Sequence, residues 1–236
     1  MQADLSHIKV IGFDADDTLW VNETYFRDAE KSFSQILSRF ETPNNIDQEL
    51  FRVEIENLAF YGYGIKAFVL SMLEAALKIS NYQLLPKEVE SILNIGKKMI
   101  DHPVELIDGV IETLSTLEHR YRLILITKGD LLDQERKLKK SNLAHYFHHI
   151  EVLSEKKEEN YSGLLNQLDI KPSEFLMVGN SLKSDVLPLI HIKSNAAHVP
   201  FHTTWQHEIV TEDETNGKHY LTLKNVKELI PYLISR

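Results

Sequence analysis

Apolar residues along this chain follow two different spacings. An apolar run at residues 8–13 predicts a short buried β-strand. Between about residues 20 and 103, apolar side chains instead recur at helical spacing, most clearly over residues 27–40, over residues 65–77 and after Pro86. We therefore predict a helical insertion of three or four helices, with Pro86 at the first position of one of them.

The spacing changes again after Pro103. Segments of helical spacing separate near-continuous apolar runs that predict further strands, at residues 123–126, 150–153, 175–178 and 196–199. Buried parallel strands that are covered by helices on both faces show this pattern. We therefore expect an α/β fold, a doubly wound parallel sheet with a Rossmann-like core and a small all-helical domain. The core would comprise residues 1–19 and 104–236, and the helical domain residues 20–103.

Composition and charge exclude several classes of protein. The chain has 236 residues, of which 43% are hydrophobic and 26% charged, as in ordinary globular proteins. Its formal net charge of −9 argues against nucleic-acid binding, which needs a basic surface. There is no cysteine, which excludes disulfides and thiolate catalysis. No apolar run of about 18 residues predicts a membrane span, and no secretion signal is visible, so we expect a cytoplasmic protein.

Three acids follow the first predicted strand directly. Asp14, Asp16 and Asp17 stand within four positions, where a solvated loop is expected. Carboxylates held this close repel one another unless a cation lies between them. In an extended segment Asp14 and Asp16 would point the same way, with Asp17 opposite. Two such carboxylates at the end of a strand indicate a divalent cation and phosphate chemistry.

Polar residues also follow the other predicted strands. In a doubly wound sheet, ligands bind outside the carboxyl ends of the strands, so these residues should meet at one edge. They supply hydroxyls, amines, an amide and a further acid: Thr127, Lys128 and Gly129 after the second strand, Lys156 and Lys157 after the third, and Asn180, Ser184 and Asp185 after the fourth.

This set of motifs resembles the haloacid dehalogenase-like (HAD) hydrolase superfamily, in its phosphatase branch. The resemblance rests on four segments in the order of the family's motifs: Asp14-Ala15-Asp16-Asp17-Thr18, then Thr127, then Lys156, then Gly179-Asn180-Ser181-Leu182-Lys183-Ser184-Asp185. The helical insertion between the first two segments matches the family's cap domain. The resemblance therefore covers nearly the whole chain.

The resemblance implies a role for each of these residues. Asp14 would attack phosphorus and form an aspartyl-phosphate, and Asp16 would act as general acid and then as general base. The cofactor would be Mg²⁺, held by Asp14, the Asp16 carbonyl and Asp185. The remaining roles would be support for the metal site by Asn180 and Ser184, charge compensation by Lys156, and phosphate binding by Thr127, Thr18, Lys128 and Gly129.

Two positions leave alternatives open. Many relatives carry an acid where this chain has Asn180, which makes Asn180 either a neutral metal ligand or a residue that supports one. Lys156 and Lys157 are adjacent in a charged segment, and either could face the phosphate, with Lys156 favoured.

The resemblance favours a phosphatase that acts on a small phosphorylated metabolite. A haloacid dehalogenase is disfavoured because such enzymes lack the second acid, here Asp16. A sugar phosphomutase of the same superfamily and a catalytically weak protein that binds phosphorylated ligands stay open. A phosphoacceptor signalling domain uses similar residues, but it is far shorter and lacks a large insertion. The sequence does not indicate the substrate or the oligomeric state.

Overall fold

The computed structural model describes residues 5–234 of the chain. Residues 1–4, part of the segment in which no secretion signal is visible, lie outside the described residues. The chain divides into two compact units. The core unit contains the residues up to Val21, Val104–Lys128 and the residues from Lys137 onward. The helical unit contains Asn22–Pro103 and Gly129–Arg136.

The core unit is built on a six-stranded sheet in the order β3-β2-β1-β4-β5-β6. All neighbouring strands are parallel. The strands are β1 (Val10–Phe13), β2 (Arg122–Lys128), β3 (His149–Leu153), β4 (Phe175–Gly179), β5 (Asn195–His198) and β6 (Leu221–Thr222). This sheet, with its flanking helices, confirms the predicted doubly wound α/β fold. The two-residue β6 was not predicted, because so short a segment shows no periodicity.

The sheet has a hydrophobic layer on each face. All four residues of β1 are buried. Ile11 and Phe13 belong to one apolar cluster and Val10 to the other, as the alternation of side chains along a strand requires. The helices of the remaining chain are α5 (Val110–Leu117), α6 (Leu131–Ser141), α7 (Glu158–Gln167), α8 (Leu187–His191), α9 (Glu212–Thr215) and α10 (Leu229–Ile234).

The helical unit contains four helices ahead of these in the chain. They are α1 (Glu23–Leu37), α2 (Pro43–Tyr61), α3 (Ile65–Ile79) and α4 (Pro86–Asp101). Their apolar faces form one cluster around residues such as Phe33, Leu50 and Met72. The periodicity does not single out α2, because only four of its nineteen residues are buried and one of these is Asn57.

The helical unit also includes a segment that the sequence assigned to the core. Lys66 Nζ lies 2.8 Å from Asp130 Oδ2, and the Gly64 backbone packs closely against Asp130. These contacts place residues 129–136 with the helical unit, so its extent differs from the predicted range 20–103. No helix in residues 5–234 combines the length and the apolarity that crossing a bilayer requires.

Candidate active site

The candidate site lies where the strand order reverses. From β1 the chain continues through β2 and β3 on one side of the sheet, and through β4, β5 and β6 on the other. The reversal leaves a crevice at the carboxyl ends of β1 and β4, where ligands bind in such sheets. Asp14 directly follows β1, and its backbone N–H donates to the Val178 carbonyl of β4 at 2.9 Å. Asn180 directly follows β4.

Lys156 joins two carboxylates below this crevice. Its Nζ lies 2.5 Å from Asp14 Oδ1 and 2.7 Å from Asp185 Oδ1. All three residues are buried, whereas the neighbouring Lys157 is exposed. Burial would lower the pKa of Lys156, but Asp14 and Asp185 raise it well above its usual range. The two carboxylates therefore favour the charged form of Lys156.

The environment of Asp14 favours its neutral form. Burial raises the pKa of Asp14, Lys156 opposes this, and Asp185 adds to the increase. If Asp14 and Asp185 are both ionised, the single ammonium of Lys156 leaves one negative charge uncompensated, which adds to the cost of ionising Asp14. A cation bound beside Asp14 would remove this imbalance.

Asp185 is held rigidly by the turn that follows β4. Its Oδ2 accepts from the Ser181 backbone N–H at 3.0 Å, while its Oδ1 binds Lys156. A single π-helical turn, Leu182–Val186, carries Asp185 inward. A Cβ at Gly179 would come within 2.3 Å of Asp185 Cγ, so only glycine fits at that position. Both Asp185 oxygens bind protein donors, although the resemblance predicted Asp185 as a metal ligand.

Thr18 connects Asp14 to Asn180. Its hydroxyl donates to Asp14 Oδ2 at 3.0 Å and accepts from the Asn180 backbone N–H at 3.0 Å. The predicted phosphate ligand is thus engaged within the protein. His198 Nε2 donates to the Asn180 carbonyl at 3.0 Å. Burial lowers the pKa of His198, although its hydrogen bond to Asn180 and the charge of Asp185 oppose this.

The side chain of Asn180 lies beside the two atoms expected to bind metal. One terminal atom of its amide is 3.2 Å from both the Asp16 carbonyl oxygen and Asp14 Oδ2. With nitrogen at this position, the amide donates to both oxygens. With oxygen there, three oxygens face one another and require a cation between them.

With the Asn180 oxygen at this position, the two separations of 3.2 Å match the spacing of magnesium ligands. Neighbouring ligands of an octahedral Mg²⁺ are about 3 Å apart, because each lies about 2.1 Å from the ion. Residues 5–234 contain no group of three or more His, Asp or Glu side chains suited to a metal. The candidate ligands here are the Asp14 and Asp185 carboxylates, the Asp16 carbonyl oxygen and the Asn180 amide, together with water.

Asp16 is held by two donors that the sequence did not indicate. Its Oδ1 accepts from Trp20 Nε1 at 2.6 Å. Lys137 Nζ, on α6, donates to Oδ1 at 2.8 Å and to Oδ2 at 3.0 Å. Asp17 lies in the turn beside it with a left-handed φ of 61°, and its N–H donates to the Trp20 carbonyl at 2.7 Å.

Lys128 belongs to a separate polar network in the core unit. Its Nζ donates to Ser184 Oγ at 3.0 Å and forms an ion pair with Glu208. Glu208 also accepts from Ser181 Oγ at 2.5 Å and from Ser184 Oγ at 2.7 Å. The Lys128 side chain, predicted to bind phosphate, is therefore committed to protein contacts.

Thr127 and Gly129 flank Lys128. Thr127 is buried near the end of β2, and its hydroxyl lies 3.4 Å from the Lys128 carbonyl oxygen. Gly129 has a φ of 139° and begins the segment that belongs to the helical unit. A role for either in phosphate binding stays a prediction.

We expect Glu208→Gln to destabilise the protein at neutral pH and to have little effect near pH 2. Although burial raises the pKa of Glu208, Lys128 and the two serines lower it to about 2, from an ordinary 4.5. Because the folded pKa is lowered, this stabilisation is fully present above pH 4.5 and is lost as the pH falls toward 2. The shift corresponds to about 3 kcal/mol.

Urea denaturation at pH 7, pH 4 and pH 2.5 measures this effect. These pH values extend from above the ordinary pKa of 4.5 down toward the lowered pKa of about 2. Glu212→Gln is the matched control, because Glu212 is exposed on the next helix, α9. An equal loss of stability for Glu208→Gln at all three pH values would show that the charge on Glu208 does not matter.

Sequence reasoning missed five residues around the site. They are Trp20, Lys137, Tyr161, His198 and Glu208. The fully buried Tyr161 donates its hydroxyl to the Ser184 carbonyl at 3.0 Å and so supports the π-helical turn. Of these five, only Trp20 could have been suspected from the sequence, because it stands four positions after Asp16. The others come from distant segments that only folding brings to this edge.

Comparison with known proteins identifies the family. The model of the haloacid dehalogenase-like hydrolase family matches residues 8–192, which include Asp14, Lys156 and Asp185. The chain belongs to this family. A haloacid dehalogenase-like family hydrolase from Xanthomonas campestris is 36% identical and superposes with a TM-score of 0.81, over 93% of this chain and 92% of that chain. The predicted superfamily is thus confirmed.

Other HAD proteins resemble this chain at lower identity or over a smaller part of its length. A HAD hydrolase from Bacillus subtilis bound to magnesium shares the fold with a TM-score of 0.63 at 18% identity, over 96% of this chain and 99% of that chain. 2-Haloacid dehalogenases share the fold as well, at 13–17% identity. The N-acylneuraminate-9-phosphatase of Mus musculus is 31% identical over 86 residues, 34% of this chain and 35% of that protein. This chain thus matches about a third of that relative's length.

Proposed function

We propose that this HAD hydrolase is a Mg²⁺-dependent phosphatase that cleaves a small phosphorylated metabolite through an aspartyl-phosphate. The observation that carries the proposal is the pair of acids after β1. Asp14 lies against the Lys156 ammonium, and Asp16 lies two residues further on with its own donors. This arrangement supports Asp14 as the nucleophile and Asp16 as the acid and base.

In the first step a carboxylate oxygen of Asp14 bonds to phosphorus while the bond to the leaving oxygen breaks. The leaving oxygen takes a proton from Asp16 and departs as an alcohol. Lys156 offsets the negative charge on Asp14 and the phosphoryl group. Since Lys156 is anchored by Asp185, its charge needs no rearrangement during the reaction.

In the second step water cleaves the aspartyl-phosphate. Asp16, now ionised, accepts a proton from the attacking water, and the phosphorus–oxygen bond to Asp14 breaks. Inorganic phosphate leaves and Asp14 is restored as a carboxylate. Both steps use the same two acids, so the loss of either should affect the whole cycle.

Magnesium would be held by Asp14, the Asp16 carbonyl and Asp185, with Asn180 as a neutral ligand or as support for the site. When bound, Mg²⁺ supplies positive charge to the phosphoryl oxygens and offsets the excess charge beside Lys156. Because Asn180 is neutral, it contributes a weaker electrostatic attraction than the carboxylate of many relatives.

The presence of Asp16 favours a phosphatase over a dehalogenase. A halide leaves without a proton, so a dehalogenase needs no acid at this position. The donors around Asp16 indicate that its orientation matters. The mouse relative is named for a phosphorylated sugar acid, which makes that class of substrate one worth testing.

A phosphatase screen tests the proposal. The purified protein is incubated with sugar phosphates, including an acylneuraminate 9-phosphate, and with nucleotides, phospho-acids and p-nitrophenyl phosphate. Phosphate release is measured with Mg²⁺ and with excess EDTA. We expect release from at least one ester with Mg²⁺, and a loss of at least about 100-fold with EDTA, since the metal offsets charge in the transition state.

Three results would contradict the proposal. Release that is unchanged by EDTA would exclude a magnesium enzyme. Isomerisation of a sugar phosphate that outpaces phosphate release would indicate a mutase. Chloride release from 2-chloropropionate without phosphatase activity would indicate a dehalogenase.

A further inference from the structure

The Asp16 carboxylate is fastened by a side chain from a distant helix. Lys137 stands 121 residues further along the chain, and its Nζ contacts both Asp16 oxygens at 2.8 and 3.0 Å. Only 16% of the Lys137 side chain and 22% of the Asp16 side chain are exposed. Such a shielded two-oxygen contact differs from an ordinary surface ion pair, which contributes little.

Trp20 provides the second fixed point. Its indole is almost fully buried, and its backbone pairs with both Asp16 and Leu106. The ring therefore cannot turn freely, and its Nε1 donates to Asp16 Oδ1 at 2.6 Å. Three hydrogen bonds from two directions thus define the rotation of the Asp16 carboxylate.

We propose that Lys137, together with Trp20, is a positioning residue for the proton transfers of Asp16. Lys137 can act in this way only if the phosphatase reaction proposed above takes place. A carboxyl group that delivers a proton must lie along the path of the leaving oxygen, and small misplacements reduce the rate strongly. Lys137 limits the orientations of Asp16 without touching the substrate itself.

The departing group provides a readout that a purely structural role would not change. A poor leaving group needs a proton as its bond breaks, whereas a good one departs as an anion. Phenyl phosphate releases a phenol with a pKa of about 10, like that of tyrosine, and p-nitrophenyl phosphate releases a far more acidic phenol. Weakened proton transfer should therefore slow phenyl phosphate selectively.

The test compares kcat/KM for these two esters, because this ratio covers the steps up to departure of the phenol. We expect Lys137→Met to lower kcat/KM about tenfold or more for phenyl phosphate and less than about threefold for p-nitrophenyl phosphate. The tenfold loss is a fraction of the full effect of general acid catalysis. Lys137→Arg, which keeps the charge and donors, should recover most of the loss. Lys139→Met is the matched control, because Lys139 is exposed on the same helix.

A double-mutant cycle with Asp16→Asn completes the test. If Lys137 acts through Asp16, adding Lys137→Met to Asp16→Asn should cause no further selective loss. Thermal melts of all variants exclude unfolding as the cause.

The outcomes separate this inference from the proposed function. Equal losses for both esters in Lys137→Met, with a selective loss in Asp16→Asn, would overturn the role of Lys137 alone. Failure of the native protein to release phosphate from any ester of the screen, or full activity in Asp16→Asn, would overturn the phosphatase mechanism and the role of Lys137 with it.

Discussion

Replacing Asp14 with asparagine is expected to abolish phosphatase activity. An amide at this position keeps the size of the side chain but cannot form the aspartyl-phosphate, so kcat/KM should fall by about 10⁴-fold or more. The fold should be retained, because Lys156 keeps its ion pair with Asp185. Since burial disfavours the charge on Asp14, we expect the metal-free variant to be at least as stable as the native protein.

Phosphate release from the best ester of the screen measures the loss, and a thermal melt checks the fold. An acid quench during turnover should trap a hydroxylamine-sensitive phosphoenzyme in the native protein and none in the variant. Asp17→Asn is the matched control, because asparagine tolerates the left-handed φ of that residue. Phosphate release that survives in Asp14→Asn would show that another group is the nucleophile.

Replacing Lys156 with methionine is expected to remove both activity and stability. The change leaves Asp14 and Asp185 buried without the ammonium that both contact. Removing one partner of a buried ion pair costs about 3–5 kcal/mol, because the remaining charge is uncompensated. Activity should fall as well, since nothing else offsets the charge on the aspartyl-phosphate.

Magnesium provides a further readout for this variant. If the ion binds beside Asp14, it should compensate part of the lost charge and raise the melting temperature of Lys156→Met more than that of the native protein. Lys157→Met is the matched control, because Lys157 is exposed. Equal losses in the two variants, or no difference in the magnesium effect, would contradict the role of Lys156.

The fold could be predicted because the first five strands carry their own signals. Apolar runs such as 123–126 are buried on both faces of a parallel sheet, so burial alone determines their composition. The helix α2 and the strand β6 lack such a signal, the first because few of its positions are buried and the second because it is only two residues long. The segment 129–136 belongs to the helical unit, where Asp130 pairs with Lys66, a contact that no local pattern contains.

The candidate site was likewise predictable in part. The sequence alone predicted which residues would meet, because the carboxyl ends of parallel strands share one edge and Asp14, Lys156 and Asn180 each follow a strand. It did not determine which atoms would bind to which. That Asp185 holds Lys156, that Thr18 bridges Asp14 and Asn180, and that Glu208 engages Lys128 depends on side-chain directions within a few ångströms.

By itself, the sequence predicted the class of the fold and, through the resemblance of its motifs, the family, because periodicity and the residues at strand ends are local properties of the chain. Only the tertiary structure decided how the acids after the first strand are held. Lys137 reaches Asp16 across 121 positions, and the Asn180 amide faces Asp14 and the Asp16 carbonyl across the reversal of strand order. Such contacts depend on packing between distant segments, and no spacing along the chain encodes them.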